Sequence, residues 1–279
     1  MIFTHEYISN LLDSLELPFP DKGENVIRNY HRLFVQRYVN TLNEIADLPR
    51  STRALELAAN PYGMTAAIVV NLFDELSLAS FGKLGEHSTL DISVGNKSFS
   101  LREDNFNVEF DRWPYEDESF DLIISCEMIE HLAMDPMHVF FEANRVLRHG
   151  GIFFVSTPNA CSLQSAVKAL KFQTPSMAPQ YRGPPDLSGV YQRHNRELTP
   201  PALAEMFRAG GFQKVSYRTV DNYPFYNYEA DAISVEVLRA IYGTHWRGDT
   251  LNFSGWKAGP PLERYPGAED LYIVSDPRL

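Results

Sequence analysis

Residues 113–132 read WPYEDESFDLIISCEMIEHL, and residues 145–159 read RVLRHGGIFFVSTPN. Phe120–Ser125 is almost wholly apolar, the pattern of a strand covered on both faces rather than one with a wet side. Ile152–Ser156 has the same character and breaks at Thr157-Pro158-Asn159. Between them, Met134–Leu147 carries helical spacing and stops at His149-Gly150-Gly151, a glycine-rich helix end. A buried strand, a helix and a second buried strand in that order predict a parallel α/β unit with a right-handed crossover.

The same alternation extends in both directions. Upstream, Arg53–Ala58 (RALELA) alternates and stops at the turn Asn60-Pro61-Tyr62-Gly63. Thr65–Leu76 reads as a helix and Leu76–Ser80 as a second strand. Ser88–Ile92 and Lys97–Leu101 flank Gly95-Asn96, so an inserted hairpin is expected, followed by a strand at Asn105–Phe110. Before all of these, Val26, Tyr30, Leu33/Phe34, Tyr38, Leu42 and Ile45 mark one amphipathic helix from Asn25 to Leu48, ended by Pro49. A shorter helix is expected within the first 17 residues.

Downstream, the Pro/Gly-rich run QTPSMAPQYRGPPDLSG is either a lid or substrate loop or a disordered insertion. A helix (Pro200–Ala209) and a strand (Gln213–Val220) follow. The tail suggests a helix near Asp231–Tyr242 and strands at Thr250–Trp256 and Leu271–Ser275. We expect an N-terminal helical cap over residues 1–49 and an α/β domain over 50–279, with a variable loop at 172–195 and an extension at 221–279.

Composition narrows the function. The chain has 279 residues, 44% apolar, with 25 Lys and Arg against 36 Asp and Glu, a formal charge of −11. Such a surface repels phosphate backbones and anionic lipid, so neither nucleic acid nor membrane is an expected partner. Cys126 and Cys161 stand far apart, which argues against a disulfide scaffold or a cysteine-based zinc site and fits a reducing, cytoplasmic setting. The N-terminus has no basic n-region of a signal peptide.

In an open α/β sheet, ligands bind outside the carboxyl ends of the strands, where the strand order reverses. The first such end is Leu55-Glu56-Leu57-Ala58-Ala59-Asn60-Pro61-Tyr62-Gly63. By itself it carries no G-x-G-x-x-G phosphate loop, and an ordinary strand-to-helix turn remains an alternative.

Taken in order, this turn and the 113–132 and 145–159 strings resemble the class I S-adenosylmethionine-dependent methyltransferases, a series the C-terminal Arg247-Gly248-Asp249-Thr250 strand could complete. In that family a series of the form LPFPDxSFDLV…EHL…RVLKPGG is characteristic, and the resemblance runs from about Arg53 to Val220. It implies a Rossmann-like, doubly wound, seven-stranded sheet, mainly parallel with the last strand antiparallel, and S-adenosylmethionine as cofactor. It also implies that Glu56, Ala58, Asn60 and Gly63 form the cofactor turn, that Glu109 and Asp111 lie beside the adenine amino group, and that Cys126 and Glu127 line the methionine portion.

Two departures stand out. Ala58-Ala59-Asn60 replaces the usual Gly-x-Gly, and Ser80 stands where an acid normally takes both ribose hydroxyls. A carboxylate contributes ~1.5–3 kcal/mol per such hydrogen bond, so its loss weakens the cofactor unless Ser80 or its surroundings substitute.

Glu127-x-x-Glu130-His131 adds a possible metal set. On a helix starting near Glu127 these three side chains share a face. Two carboxylates and an imidazole suit a divalent cation such as Mg²⁺, with His194 completing the set. The arrangement resembles O-methyltransferases in which a Glu-x-x-Glu-His motif serves metal-assisted transfer to a hydroxyl. Glu130, His131 and His194 are accordingly the candidate catalytic groups, as ligands of a bound cation or as proton acceptors. The alternative is that Glu130-His131 simply caps and packs a helix. The reading is methyl transfer to a small-molecule acceptor, most simply a hydroxyl, by a chain that could act as a homodimer. A non-catalytic binding relative and an RNA methyltransferase are the competing readings. Tyr223, Phe225, Tyr226 and Tyr228 could wall an acceptor pocket or serve as core.

Overall fold

A computed structural model describes residues 2–17, 21–48, 53–73, 75–176, 191, 193–222 and 246–267. The expected helix near Asp231–Tyr242, the strand at Leu271–Ser275, the aromatics from Tyr223 to Tyr228 and most of the 172–195 loop lie outside those residues.

The strands in chain order are β1 (Leu15–Glu16), β2 (Arg53–Leu57), β3 (Glu75–Ser80), β4 (His87–Val94), β5 (Lys97–Asn105), β6 (Phe120–Cys126), β7 (Leu147–Pro158), β8 (Phe212–Val220) and β9 (Thr250–Lys257). They form one sheet in the order β1-β4-β5-β3-β2-β6-β7-β9-β8. β5, β3, β2, β6 and β7 run parallel, and β9 runs antiparallel between β7 and β8. The mostly parallel, doubly wound sheet with an antiparallel last strand is therefore present. It has nine strands among the described residues rather than seven, because the hairpin strand β4 and the short β1 extend one edge.

The helices are α1 (His5–Asp13), α2 (Asp21–Leu33), α3 (Val35–Asp47), α4 (Gly63–Asn71), α5 (Pro136–Val146), α6 (Leu163–Leu170) and α7 (Pro200–Ala209). Alternation along the central strands sorts them into layers. Ala54, Leu76, Leu78, Leu122, Ile124, Ile152 and Phe154 point to one face and pack with α1, α3 and α4. Leu55, Leu57, Ala79, Ile123, Phe153 and Val155 point to the other and pack with α5 and α7. Both faces are apolar and both are covered, which is why β6 and β7 read as unbroken apolar runs.

Local signals set several helix ends. The Asp135 carboxylate accepts from the His138 amide ahead of Pro136, and Thr199 does the same for Ala202 ahead of Pro200. α6, capped by Ser162, has no counterpart among the expected helices.

Three expectations need correction. The single helix over 25–48 is two, broken at Phe34, whose amide donates to both Tyr30 and His31 carbonyls. No strand forms at 105–110; β5 itself runs to Asn105, and residues 107–111 close a turn through Asp111 N–H to Asn107 O. No helix starts near Glu127 either. That residue has φ 51°, Ile129–His131 is one turn of 3-10 helix, and α5 begins only at Pro136.

Candidate functional site

In the row β5-β3-β2-β6-β7 the chain reverses direction of winding between β2 and β6, the place where a crevice opens in such sheets. A cleft of about 270 Å³ lies there. Its lining comes from the ends of β2, β3 and β6, the segment after β5, helices α2 and α3, and Tyr191.

The ends of β2 and β6 are bent by an unusual backbone. Ala58 (φ 54°), Tyr62 (φ 65°) and Glu127 (φ 51°) are non-glycine residues in the left-handed region, and all three line the cleft. Such a conformation costs about 1–2 kcal/mol per residue, so it persists only where neighbours hold it. Here the Ala58 amide donates to Ala79 O at 2.8 Å, the Tyr62 amide to Ala59 O at 2.7 Å and the Glu127 amide to Ser156 O at 2.9 Å.

Of the residues singled out from sequence, Glu56, Ala58, Asn60, Gly63, Ser80, Cys126, Glu127 and His131 line this one cleft. Glu109 and Asp111 do not. The Glu109 carboxylate is buried, accepts the amides of Ala133, Met134 and Asp135 and the hydroxyl of Tyr191, and so pins the approach to α5. Asp111 accepts the Asn107 amide at 2.7 Å. The expectation that these two lie beside a base is corrected: β5 ends before them, and Phe106, Asn107 and Val108 are what this segment presents to the cleft.

Burial sets the charge states. Glu56 is buried beneath the cleft with Thr65 donating to it at 2.7 Å, and desolvation pushes its carboxyl up to about 8 despite that bond, aided by the Glu103 charge. Burial likewise raises the Cys126 thiol, which stays protonated and is no nucleophile. Glu127 accepts from the Ser156 hydroxyl at 3.0 Å.

The N-terminal helices bring residues that sequence reasoning missed. Arg37 of α3 is buried; its guanidinium lies 4.6 Å from the Phe34 ring centroid, donates to the Tyr30 hydroxyl at 2.6 Å and approaches Glu127 Oε2 at 3.7 Å. The available signal was an arginine on the apolar stripe of an amphipathic helix, at the spacing of Tyr30, Phe34 and Tyr38.

Beside the cleft, the segment 193–196 is tied to the 3-10 turn. The Asn195 and Arg196 amides donate to Glu130 O, and the Asn195 side chain to His131 O. This brings His194 against His131, ring centroids 4.9 Å apart. Ligand atoms of Glu130, His131 and His194 lie within 4.8 Å of one another; Glu127 is outside that group. Glu130 is fully buried, with Oε2 bonded to Thr157 and Oε1 without a hydrogen-bond partner among the described residues, 3.7 Å from His131 Nε2. Burial raises the Glu130 carboxyl well above its ordinary range. His131 is lowered by burial and by His194, so its imidazole is neutral at pH 7. Each histidine has Nδ1 engaged, His131 with the Arg193 carbonyl at 3.1 Å and His194 with Glu197 at 3.2 Å.

With this geometry in place, comparison with known proteins is informative. Residues 77–155 match the family described as Methyltransferase domain. Over 100 residues, 36% of this chain, the sequence is 32% identical to a "Probable S-adenosylmethionine-dependent methyltransferase" of Mycolicibacterium smegmatis, and the match spans 31% of that relative's length. Among solved structures, a SAM-dependent methyltransferase from Archaeoglobus fulgidus superposes with TM-score 0.54 at 11% identity, covering 85% of this chain and 100% of the other. One from Thermotoga maritima gives 0.52 at 15%, covering 84% and 98%. No helix among the described residues is long and apolar enough to cross a membrane.

Proposed function

We propose that this chain, which matches a methyltransferase domain over residues 77–155 and a probable S-adenosylmethionine-dependent methyltransferase over 100 residues, is itself such an enzyme, that it binds that cofactor in the cleft between β2, β3 and β6 and that it methylates a hydroxyl of a small-molecule acceptor. The residues present fit the cofactor. Leu57 to Tyr62 all border open space, so the Ala-Ala-Asn turn leaves room over the backbone. Phe81, Phe106 and Val108 offer an apolar slot for a flat base, and Glu56 and Glu127 offer carboxyl groups to a cationic portion. Arg37 would meet a carboxylate. The helices of the 1–49 cap thus complete the wall, through Tyr30, Arg37 and Tyr38.

Bound S-adenosylmethionine supplies a methyl group already activated on a sulfonium. What remains for the protein is alignment and removal of the acceptor's proton. His131 is suited to taking that proton, since it lines the cleft, is neutral at pH 7, and has its Nδ1 held by the Arg193 carbonyl. That placement of an imidazole in the same cleft as Glu127 and Ala58 is the observation that carries the reading.

The alternative role for this group is to hold a divalent cation, in which case His131 Nε2 ligates the ion and does not take the proton. A carboxylate and two imidazoles are a sound donor set, and the buried Oε1 of Glu130, without a hydrogen-bond partner among the described residues and beside His131 and His194, is a fit for a positive ion. Such an ion would lower the acceptor hydroxyl's pKa. Glu127, expected as a further ligand, is instead engaged by Ser156 and faces Arg37.

Calorimetric titration with S-adenosylhomocysteine tests the cofactor; no binding at millimolar ligand removes the reading. Methyl transfer to hydroxyl compounds, assayed after exhaustive chelation, tests the acceptor and the ion. Activity that survives both chelation and Glu130→Ala excludes the cation.

A further inference from the structure

The residue ending β3 is Ser80, although the family resemblance places there an acid that holds the cofactor's ribose. The parallel pairing of β3 with β5 sets Leu78 opposite Glu103, so Glu103 emerges on the face that Ser80 shares, one strand over. Glu103 Oε1 accepts from Ser80 Oγ at 2.5 Å and from the Tyr62 hydroxyl at 2.9 Å, and Oε2 accepts from Ser88 at 3.2 Å. Ser80 and Tyr62 line the cleft; Glu103 is buried behind them.

We infer that Glu103 replaces the missing acid from the neighbouring strand, acting through Ser80 and Tyr62, whose hydroxyl oxygens together receive the vicinal diol of a ribose. The inference rests on the cofactor reading above. A hydroxyl that donates to a carboxylate keeps its lone pairs, and the charge behind it makes its oxygen a stronger acceptor. Two such hydroxyls converge on a single carboxylate oxygen, so their own oxygens lie side by side. A vicinal diol, with two adjacent donors, is the complementary ligand. The Tyr62 phenol is raised by burial and by Glu103 and so stays a donor to that carboxylate at physiological pH. Glu103 is in this sense a positioning residue, since the diol meets Ser80 and Tyr62.

The experiment is a calorimetric comparison of S-adenosylhomocysteine with its 2′,3′-dideoxy analogue, on the whole chain. The wild type is expected to prefer the diol by about tenfold or more, the worth of hydrogen bonds backed by a charge. Glu103→Gln and Ser80→Ala should each weaken the diol ligand, leave the dideoxy ligand nearly unchanged and so collapse the preference, while Ser80→Thr, which keeps a hydroxyl, should restore it. Ser80→Ala leaves Glu103 bonded to Tyr62 and Ser88, so it reports even if Glu103→Gln unfolds. A preference that persists in Ser80→Ala, or equal losses for both ligands in either variant, overturns the inference and leaves Glu103 a structural hub. A wild-type chain that binds neither ligand overturns the cofactor reading, and this one with it.

Discussion

Arg37 and Glu127 face one another at 3.7 Å across the cleft, one from helix α3 and the other from the left-handed turn after β6. The guanidinium is held mainly by aromatic rings and by the Tyr30 hydroxyl, and both partners border the space where a ligand would enter. An arginine and a glutamate at that separation match a zwitterion better than either matches a neutral group.

Replacing Arg37 with Met keeps most of the packed stem and removes the charge. S-adenosylhomocysteine binding should weaken by about tenfold or more, the scale of a lost charged hydrogen bond. 5′-Methylthioadenosine, which lacks the amino-acid end, should bind the variant as it binds the wild type. Titration of both ligands decides it, and equal losses would assign Arg37 to the fold alone.

The Glu56 carboxyl, held up at about 8 by burial, makes both stability and binding depend on pH. Because its folded pKa lies above the unfolded value, the folded state keeps the proton longer. Stability from this group is therefore fully present below about pH 4.5 and declines as pH rises toward 8. Thermal melts of Glu56→Gln should be flatter than wild type over that window. A cationic ligand beside Glu56 favours its ionised form, so binding should release protons near pH 7 and tighten toward pH 8. Calorimetry in buffers of different ionisation enthalpy measures that release directly.

Gly63 opens α4 where a side chain has no room. A Cβ there would sit 2.8 Å from His31 Nε2 and 2.9 Å from the Tyr38 hydroxyl. Burial pushes His31 down to about 4, so it sits there neutral, bonded to Pro61 O at 3.2 Å. Gly63→Ala should cost about 1–3 kcal/mol in urea unfolding, the usual range for overpacking. An unchanged midpoint would show that α2 and α3 can shift away freely.

Glu130→Gln keeps the shape of a fully buried side chain and removes its capacity to ionise on an ion. Mn²⁺ binding, followed by paramagnetic resonance, should fall below detection in this variant, with S-adenosylhomocysteine affinity changed less than about threefold, as expected if Glu130 serves only the ion. Mn²⁺ binding that survives in the variant would place any ion elsewhere.

Much of the sheet was legible because its strands announce burial on both faces. Phe120–Ser125 and Ile152–Ser156 lack a polar side, and no soluble edge strand can be built from them. The turn residues Ala58, Asn60 and Gly63 were legible by position at the first strand's end. The error at Glu109 has a simple origin. Sequence periodicity placed the third strand too late, and a buried carboxylate that satisfies three amides and a phenol looks, on paper, like one awaiting a ligand. The His131 and His194 pairing depends on a return of the chain after a long excursion, which no local pattern encodes.

Residue order alone determined the alternation of buried strands with amphipathic helices, and hence a doubly wound sheet whose first strand end is the mouth of a site. It also determined the acidic surface and the resemblance to methyltransferases. Only the tertiary structure decided which polar groups reach that mouth. Glu103 arrives through strand register, Arg37 through a helix break at Phe34, and His194 through amides tied to Glu130 O. Periodicity is a property of neighbours in the chain, whereas each of these contacts is set by the packing of segments far apart in it.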